Sequence, residues 1–112
     1  MAQHTPTPTL DETLLSEIRC GSNGYVHQKR LILKSGASSP KHYHKKTTET
    51  YSVISGDGEI LFRDQCIKVS PGDYLIIPTN AIHQIRNTSK TNLVIISTKN
   101  QRVSFEDFHE VP

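Results

Sequence analysis

Tryptophan is absent from the chain, methionine occurs once and cysteine twice, and no apolar stretch approaches the length of a membrane-spanning helix. The longest apolar runs, such as Leu75-Ile76-Ile77 and Leu93-Val94-Ile95-Ile96, fall far short of the roughly 20 residues needed to cross a bilayer. No membrane partner is expected. Met1-Ala2-Gln3-His4 leads into no apolar secretory core, which points to a soluble, cytoplasmic protein. Cys20 and Cys66 are widely separated and are read as reduced structural thiols rather than a disulfide. Charge of one sign is lacking too. The 13 Lys and Arg stand against 11 Asp and Glu, a net of +2, and no block of basic residues forms the concentrated face that phosphate-backbone binding requires. Nucleic acid is therefore not expected as a partner. No internal repeat is apparent, and 112 residues fit one domain around one core.

What is present is punctuation. Met1 to Thr9, rich in Thr and Pro, reads as an extended arm. Thr9-Leu10-Asp11-Glu12 resembles a capping box ahead of Leu14, Leu15 and Ile18, which would permit a short helix over Leu10 to Arg19. Cys20 to Gly24 marks a turn, so residues 1–24 read as an N-terminal arm and 25–112 as the folded domain. From Tyr25 onward, short strands alternate with turns. They are placed at Val26–Leu33, Lys41–His44, Thr48–Ser55, Gly58–Phe62, Cys66–Val69, Tyr74–Ile77, His83–Asn87 and Leu93–Lys99. Strands in that number, with no long helical pattern between them, predict an all-β jelly roll or small barrel, whose closure hides the sheet edges. Val103 to Pro112 reads as a final strand or short helix, with Phe105 and Phe108 packing on the barrel or on a second subunit.

Two patterns carry chemistry. Gly36-x5-His42-x-His44-x4-Glu49-x6-Gly56 is followed by Gly72-x5-Pro78-x-Asn80-x2-His83-x3-Asn87. The pair resembles the two motifs of the cupin superfamily, over about Leu31 to Thr98, and implies a single cupin jelly-roll β-barrel. One position departs: Asn80 stands where the family has glycine. Asn tolerates a left-handed turn better than other residues with a side chain, so φ at Asn80 should be positive. Strand geometry leads to the same site by its own route. Alternation puts His42 and His44 on one face and Tyr43 on the other. Glu49 heads the next strand and adds a carboxylate to the interior, with Tyr51 and Val53 following it inward. Barrel closure then brings His83 beside them. His42, His44, Glu49 and His83 are thus the candidate ligands of one divalent transition metal, Fe, Mn, Zn or Ni. A set without cysteine argues against a closed structural zinc site.

Tyr51 is a candidate catalytic group, its hydroxyl orienting a substrate or donating a proton, against the plainer reading of a packed core aromatic. His4, His27 and His109 fall outside the motifs and read as surface or packing residues. Gln28, Lys29 and Arg30 read as solvated strand residues, and Lys45-Lys46 as a loop tip that would also attract an anion. Four protein ligands on an ion that prefers six leave two positions for water or a substrate. His42 through Asn87 is most similar to small cupins of the mannose-6-phosphate isomerase-like kind. That resemblance implies a metal-dependent, isomerase-like enzyme acting on an oxygenated, carbohydrate-derived small molecule. The alternatives are an Fe(II)-dependent dioxygenase and a non-catalytic small-molecule binding or sensing module. A homodimer is expected, since a small barrel has limited core and the arm and tail offer surface to a partner.

Overall fold

The computed structural model describes residues 10–20, 24–100 and 107–112. They form β1 (Leu10–Cys20), β2 (Gly24–Leu33), β3 (His42–Tyr43), β4 (Glu49–Ser55), β5 (Gly58–Phe62), β6 (Gln65–Val69), β7 (Tyr74–Ile77), β8 (His83–Arg86), β9 (Leu93–Lys99) and β10 (His109–Glu110). Two five-stranded sheets result, in the orders β1-β2-β9-β4-β7 and β10-β3-β8-β5-β6. Every pairing is antiparallel. This is a jelly-roll β fold. Among the described residues no helix is long and apolar enough to cross a membrane.

The inner faces follow from alternation. In β9, Leu93, Ile95, Ser97 and Lys99 are buried while Val94, Ile96 and Thr98 between them are half-buried. In β4, Glu49, Tyr51 and Val53 are buried. The two strands run antiparallel with Val53 opposite Ile95, Tyr51 opposite Ser97 and Glu49 opposite Lys99. One end of the interior is therefore apolar and the other polar. Leu33, Ile60, Ile85, Leu93 and Ile95 are completely buried in the core. Each such side chain contributes about 2 kcal/mol by leaving water, and together they anchor the strands that project the polar groups.

The short helix expected over Leu10 to Arg19 is instead strand β1, paired along β2 from Leu10 opposite Leu33 to Cys20 opposite Gly24, with a bulge between Leu14 and Ser16. A capping box is worth about 1 kcal/mol locally, whereas β1 supplies partners to a whole strand edge of β2 that would otherwise stay open. Tertiary pairing overrides the local signal. The tail contributes β10, whose His109 and Glu110 pair with Tyr43 and His42 of β3, so it ends in a strand. Phe105 and residues 1–9 of the expected arm lie outside the described residues.

The turns behave as their residues require. Asn80 has φ 66°, the left-handed conformation expected of it, and its N–H donates to His44 O at 2.7 Å. Gly56 has φ +81°, and a Cβ built there would stand 2.2 Å from Asn92 O. Gly72 has φ +93° but open space around the same position. Gly72→Ala should therefore cost only the backbone strain, about 1 kcal/mol. Gly56→Ala adds a backbone clash and should cost on the order of 3 kcal/mol or more. Urea unfolding of the two variants measures the difference, and equal losses would contradict the close approach at Gly56.

Candidate metal centre

Four side chains converge at the polar end of the interior. His42 and His83 are direct register partners across β3 and β8. His44 lies just past β3 on the same face as His42, and Glu49 opens β4 in the opposite sheet. All four are buried, and one donor atom from each lies within 4.8 Å of every other. Glu49 Oε1 stands 3.3 Å from His83 Nε2 and 3.8 Å from His44 Nε2. Ligands at about 2.1 Å from a common ion stand about 3.0 Å apart when adjacent and about 4.2 Å apart when opposite. The Glu49–His83 pair already stands near the adjacent spacing, and the wider pairs would draw together on an ion.

The hydrogen bonds behind the rings decide which nitrogens face inward. Nδ1 of His42 is 2.8 Å from Pro40 O, Nδ1 of His44 is 2.9 Å from Asp107 O, and Nδ1 of His83 is 2.9 Å from Ala81 O. A carbonyl only accepts, so each Nδ1 carries the proton and donates. In a neutral ring bonded in this way Nε2 is a bare lone pair, and in these rings it points into the cluster. Nε2 of His44, Nε2 of His83 and Oε1 of Glu49 are buried without a hydrogen-bond partner. Neutral imidazoles bonded in this way, together with the carboxylate, offer lone pairs at a common point, which is the electronic requirement of a metal site.

Glu49 is held by its other oxygen. Oε2 accepts a short hydrogen bond from Ser97 Oγ and lies 3.2 Å from Lys99 Nζ, which also donates to Ser97 Oγ at 3.2 Å. Burial alone would raise the carboxyl pKa, but His83, Lys99 and Ser97 together hold it well below the usual carboxylate range. Burial lowers His42 to about 4, reinforced by the neighbouring His83, and burial likewise lowers His44. At neutral pH, then, the carboxylate is charged and these two rings are neutral, the protonation states a metal needs.

The donors open into a cavity of about 680 Å³ whose walls include Leu10, Leu31, Pro40, Ile85 and Phe108, with Lys29, Glu12 and Ser39 as polar groups away from the cluster. Tyr51 also lines it and is 2% exposed. Burial and then the Glu49 charge keep its hydroxyl protonated well above the usual tyrosine range. Phe108 stacks on His42 with ring centroids 4.4 Å apart.

Other sequence candidates fall elsewhere. His27 is buried on β2 opposite Lys99 but does not join the four. His109 stacks on Tyr43 at 4.9 Å. His4 lies outside the described residues. Lys45 and Lys46 are exposed. Gln28 donates to Thr98 Oγ1 at 3.1 Å and Arg30 is exposed, but Lys29 reaches the cavity, 3.6 Å from Glu12. Cys66 is a free, exposed thiol. Ser97 and Lys99 were missed, though alternation along β9 put two polar residues at inward positions and was the available signal. Asp107 carried no local signal, being some 60 residues from the histidine it touches.

The Cupin domain model matches residues 29–99. An uncharacterized protein of Aquifex aeolicus is 34% identical over 78 residues, 70% of this chain and 63% of its own length. Quercetin 2,3-dioxygenase of Bacillus subtilis is 38% identical over 45 residues, 40% of this chain and 13% of that protein. The chain thus spans less than two thirds of either relative. The solved structure of the plu4264 protein of Photorhabdus luminescens superposes with a TM-score of 0.72 at 25% identity, covering 83% of this chain and 76% of that one.

Metal-free protein should lose stability as pH falls. His42 titrates at 6.5 when unfolded and near 4 when folded, so between those values the unfolded chain binds a proton that the folded chain refuses. The stability it contributes is present above 6.5 and is lost as pH falls toward 4, with His44 acting in the same direction. The loss from His42 is on the order of 2 kcal/mol, readable from denaturant midpoints at about pH 7 and about pH 4 in chelator. A flat profile across that window would contradict the burial-driven depression.

Proposed function

The chain belongs to the cupin family, and on that premise we propose that it is a small metalloenzyme holding one divalent transition metal through His42, His44, Glu49 and His83. Its substrate is a small oxygenated molecule taken from the adjoining cavity, and its action is isomerase-like on a carbohydrate-derived compound. The observation that carries this reading is the cluster of buried acceptor atoms opening into a cavity, where a closed structural site would have none. When bound, a divalent ion there would polarise a carbonyl or acidify water. The chain's own residues do the rest. The three imidazoles, each bonded at Nδ1 to a backbone carbonyl, present Nε2 to the cluster. Glu49 presents Oε1 while Ser97 and Lys99 retain Oε2. Tyr51, kept protonated, would donate a hydrogen bond from the cavity wall, and the apolar walls would pack against the substrate's carbon skeleton. A homodimer in the cytoplasm belongs to the same proposal.

A second reading, an Fe(II)-dependent dioxygenase, draws on two observations: the apolar character of the walls and the 45-residue match to the Bacillus subtilis dioxygenase. One experiment separates the two. Protein loaded with Mn(II) is incubated with keto sugars and sugar phosphates in D2O, and Fe(II)-loaded protein with the same compounds and flavonols in an oxygen electrode. The isomerase-like reading expects deuterium at the carbon beside the carbonyl, abolished by His44→Ala in a protein that still folds. Oxygen uptake without exchange would replace it by the dioxygenase. Binding unaltered by chelator or by His44→Ala, with neither reaction, would leave a metal-independent binding module.

A further inference from the structure

The three imidazoles are oriented in two different ways. His42 and His83 donate from Nδ1 to carbonyls two residues earlier in their own segments, Pro40 and Ala81, so the local backbone that carries each ring also aims it. His44 has no such local acceptor in use. Its Nδ1–H goes to the carbonyl of Asp107, from the C-terminal segment, at 2.9 Å. The same Asp107 is fastened by its side chain to the turn that follows His44. Oδ1 accepts from Lys45 N–H at 2.8 Å, and Oδ2 accepts from Lys46 N–H and from Thr47 Oγ1, both at 3.2 Å. Asp107 and Thr47 are buried. Next along, Phe108 stacks on His42, and His109 and Glu110 pair with β3.

We infer that Asp107 is a positioning residue for His44. Its carboxylate clamps the Lys45–Thr47 turn, and its carbonyl fixes the His44 ring with the proton on Nδ1 and Nε2 aimed at the other three donors. Nothing in the segment around His44 does this, so the ligand set is complete only while the C-terminal segment is docked. The carboxylate serves because it is an anion with two acceptor oxygens for three donors from consecutive residues. Hydrogen bonds to a ring nitrogen behind a metal-binding one fix the tautomer and raise the basicity of the ligand. The inference rests on the metal reading of the four-residue cluster for its consequence, but not for the ring geometry itself.

The test compares Asp107→Ala and Asp107→Asn with Asp73→Ala. Asp73 Oδ2 likewise accepts a turn N–H, that of Ser70 at 2.9 Å, away from the cluster. In metal-free protein, nitrogen-15 NMR reads the histidine tautomers. Wild type should show His42, His44 and His83 all with the proton on Nδ1. Asp107→Ala should convert His44 alone to a mixture, Asp107→Asn should do so partly because it keeps one acceptor for Lys45 N–H, and Asp73→Ala should change none. Zinc affinity, measured by competition with a chromophoric chelator, should fall about 10- to 100-fold in Asp107→Ala, fall less in Asp107→Asn, and stay within about twofold in Asp73→Ala. If Asp107→Ala does not fold, the Asn variant decides on the same two readouts. An unchanged His44 tautomer, or equal losses of zinc affinity in the Asp107 and Asp73 variants, would overturn the inference. Wild-type protein that binds no zinc would sink the metal reading, while the tautomer comparison still decides the role of Asp107.

Discussion

Three buried imidazoles and one buried carboxylate turn one nitrogen each and one oxygen toward a common point. The Nδ1 protons of His42, His44 and His83 already point away, to Pro40, Asp107 and Ala81. What faces inward is ring nitrogen and a charged oxygen, and His44 Nε2, His83 Nε2 and Glu49 Oε1 have no hydrogen-bond partner. Leaving such atoms buried costs about 1–3 kcal/mol each, more where a charge is involved. A protein keeps that arrangement when something cationic completes it. Lys99 does not serve, because its ammonium lies on Oε2, the oxygen turned away from the rings. Its role is to hold the carboxylate charged, with Oε1 alone left toward the rings.

The rest of the fold is arranged around this constraint. The interior is divided along its length. Apolar residues of β2, β5, β8 and β9 fill one end, and the polar set occupies the other, with Tyr51 of β4 between them. Ligands mounted on strands or directly beside them are held more rigidly than ligands on loops. His42 and His83 are adjacent by strand register, and Glu49 is paired across to Lys99 for the same reason. The glycines and Asn80 with positive φ let the chain turn tightly between those strands. His42, His44 and Glu49 line the cavity, so a molecule held in it lies beside them.

Much of this could be read from the residues in order. Alternation in Leu93–Lys99 and Glu49–Ser55 located those strands within a residue of where they lie, and the same rule put His42 and His44 on one face. Asn80 was legible because so few residues accept φ near 66°. What escaped was non-local. β1 reads locally as a capped helix and becomes a strand only because β2 presents an edge to pair with. Ser97 and Lys99 occupy inward positions that were visible, but their engagement with Glu49 depends on which strand lies beside β9. Asp107 has no periodic or motif signal, since its contacts to Lys45, Lys46 and Thr47 arise from chain segments brought together only by the fold.

Three Nε2 atoms and one carboxylate oxygen converging in a buried pocket are proposed to take a divalent ion. X-ray absorption at the metal edge of stoichiometrically loaded Co(II) or Zn(II) protein tests it most directly. The expected spectrum shows three imidazole ligands, seen through their outer-ring scattering, and carboxylate or water oxygen, all at about 2.0–2.2 Å. A spectrum with sulfur scattering, or with oxygen ligands and no imidazole signature, would place the ion elsewhere and contradict it.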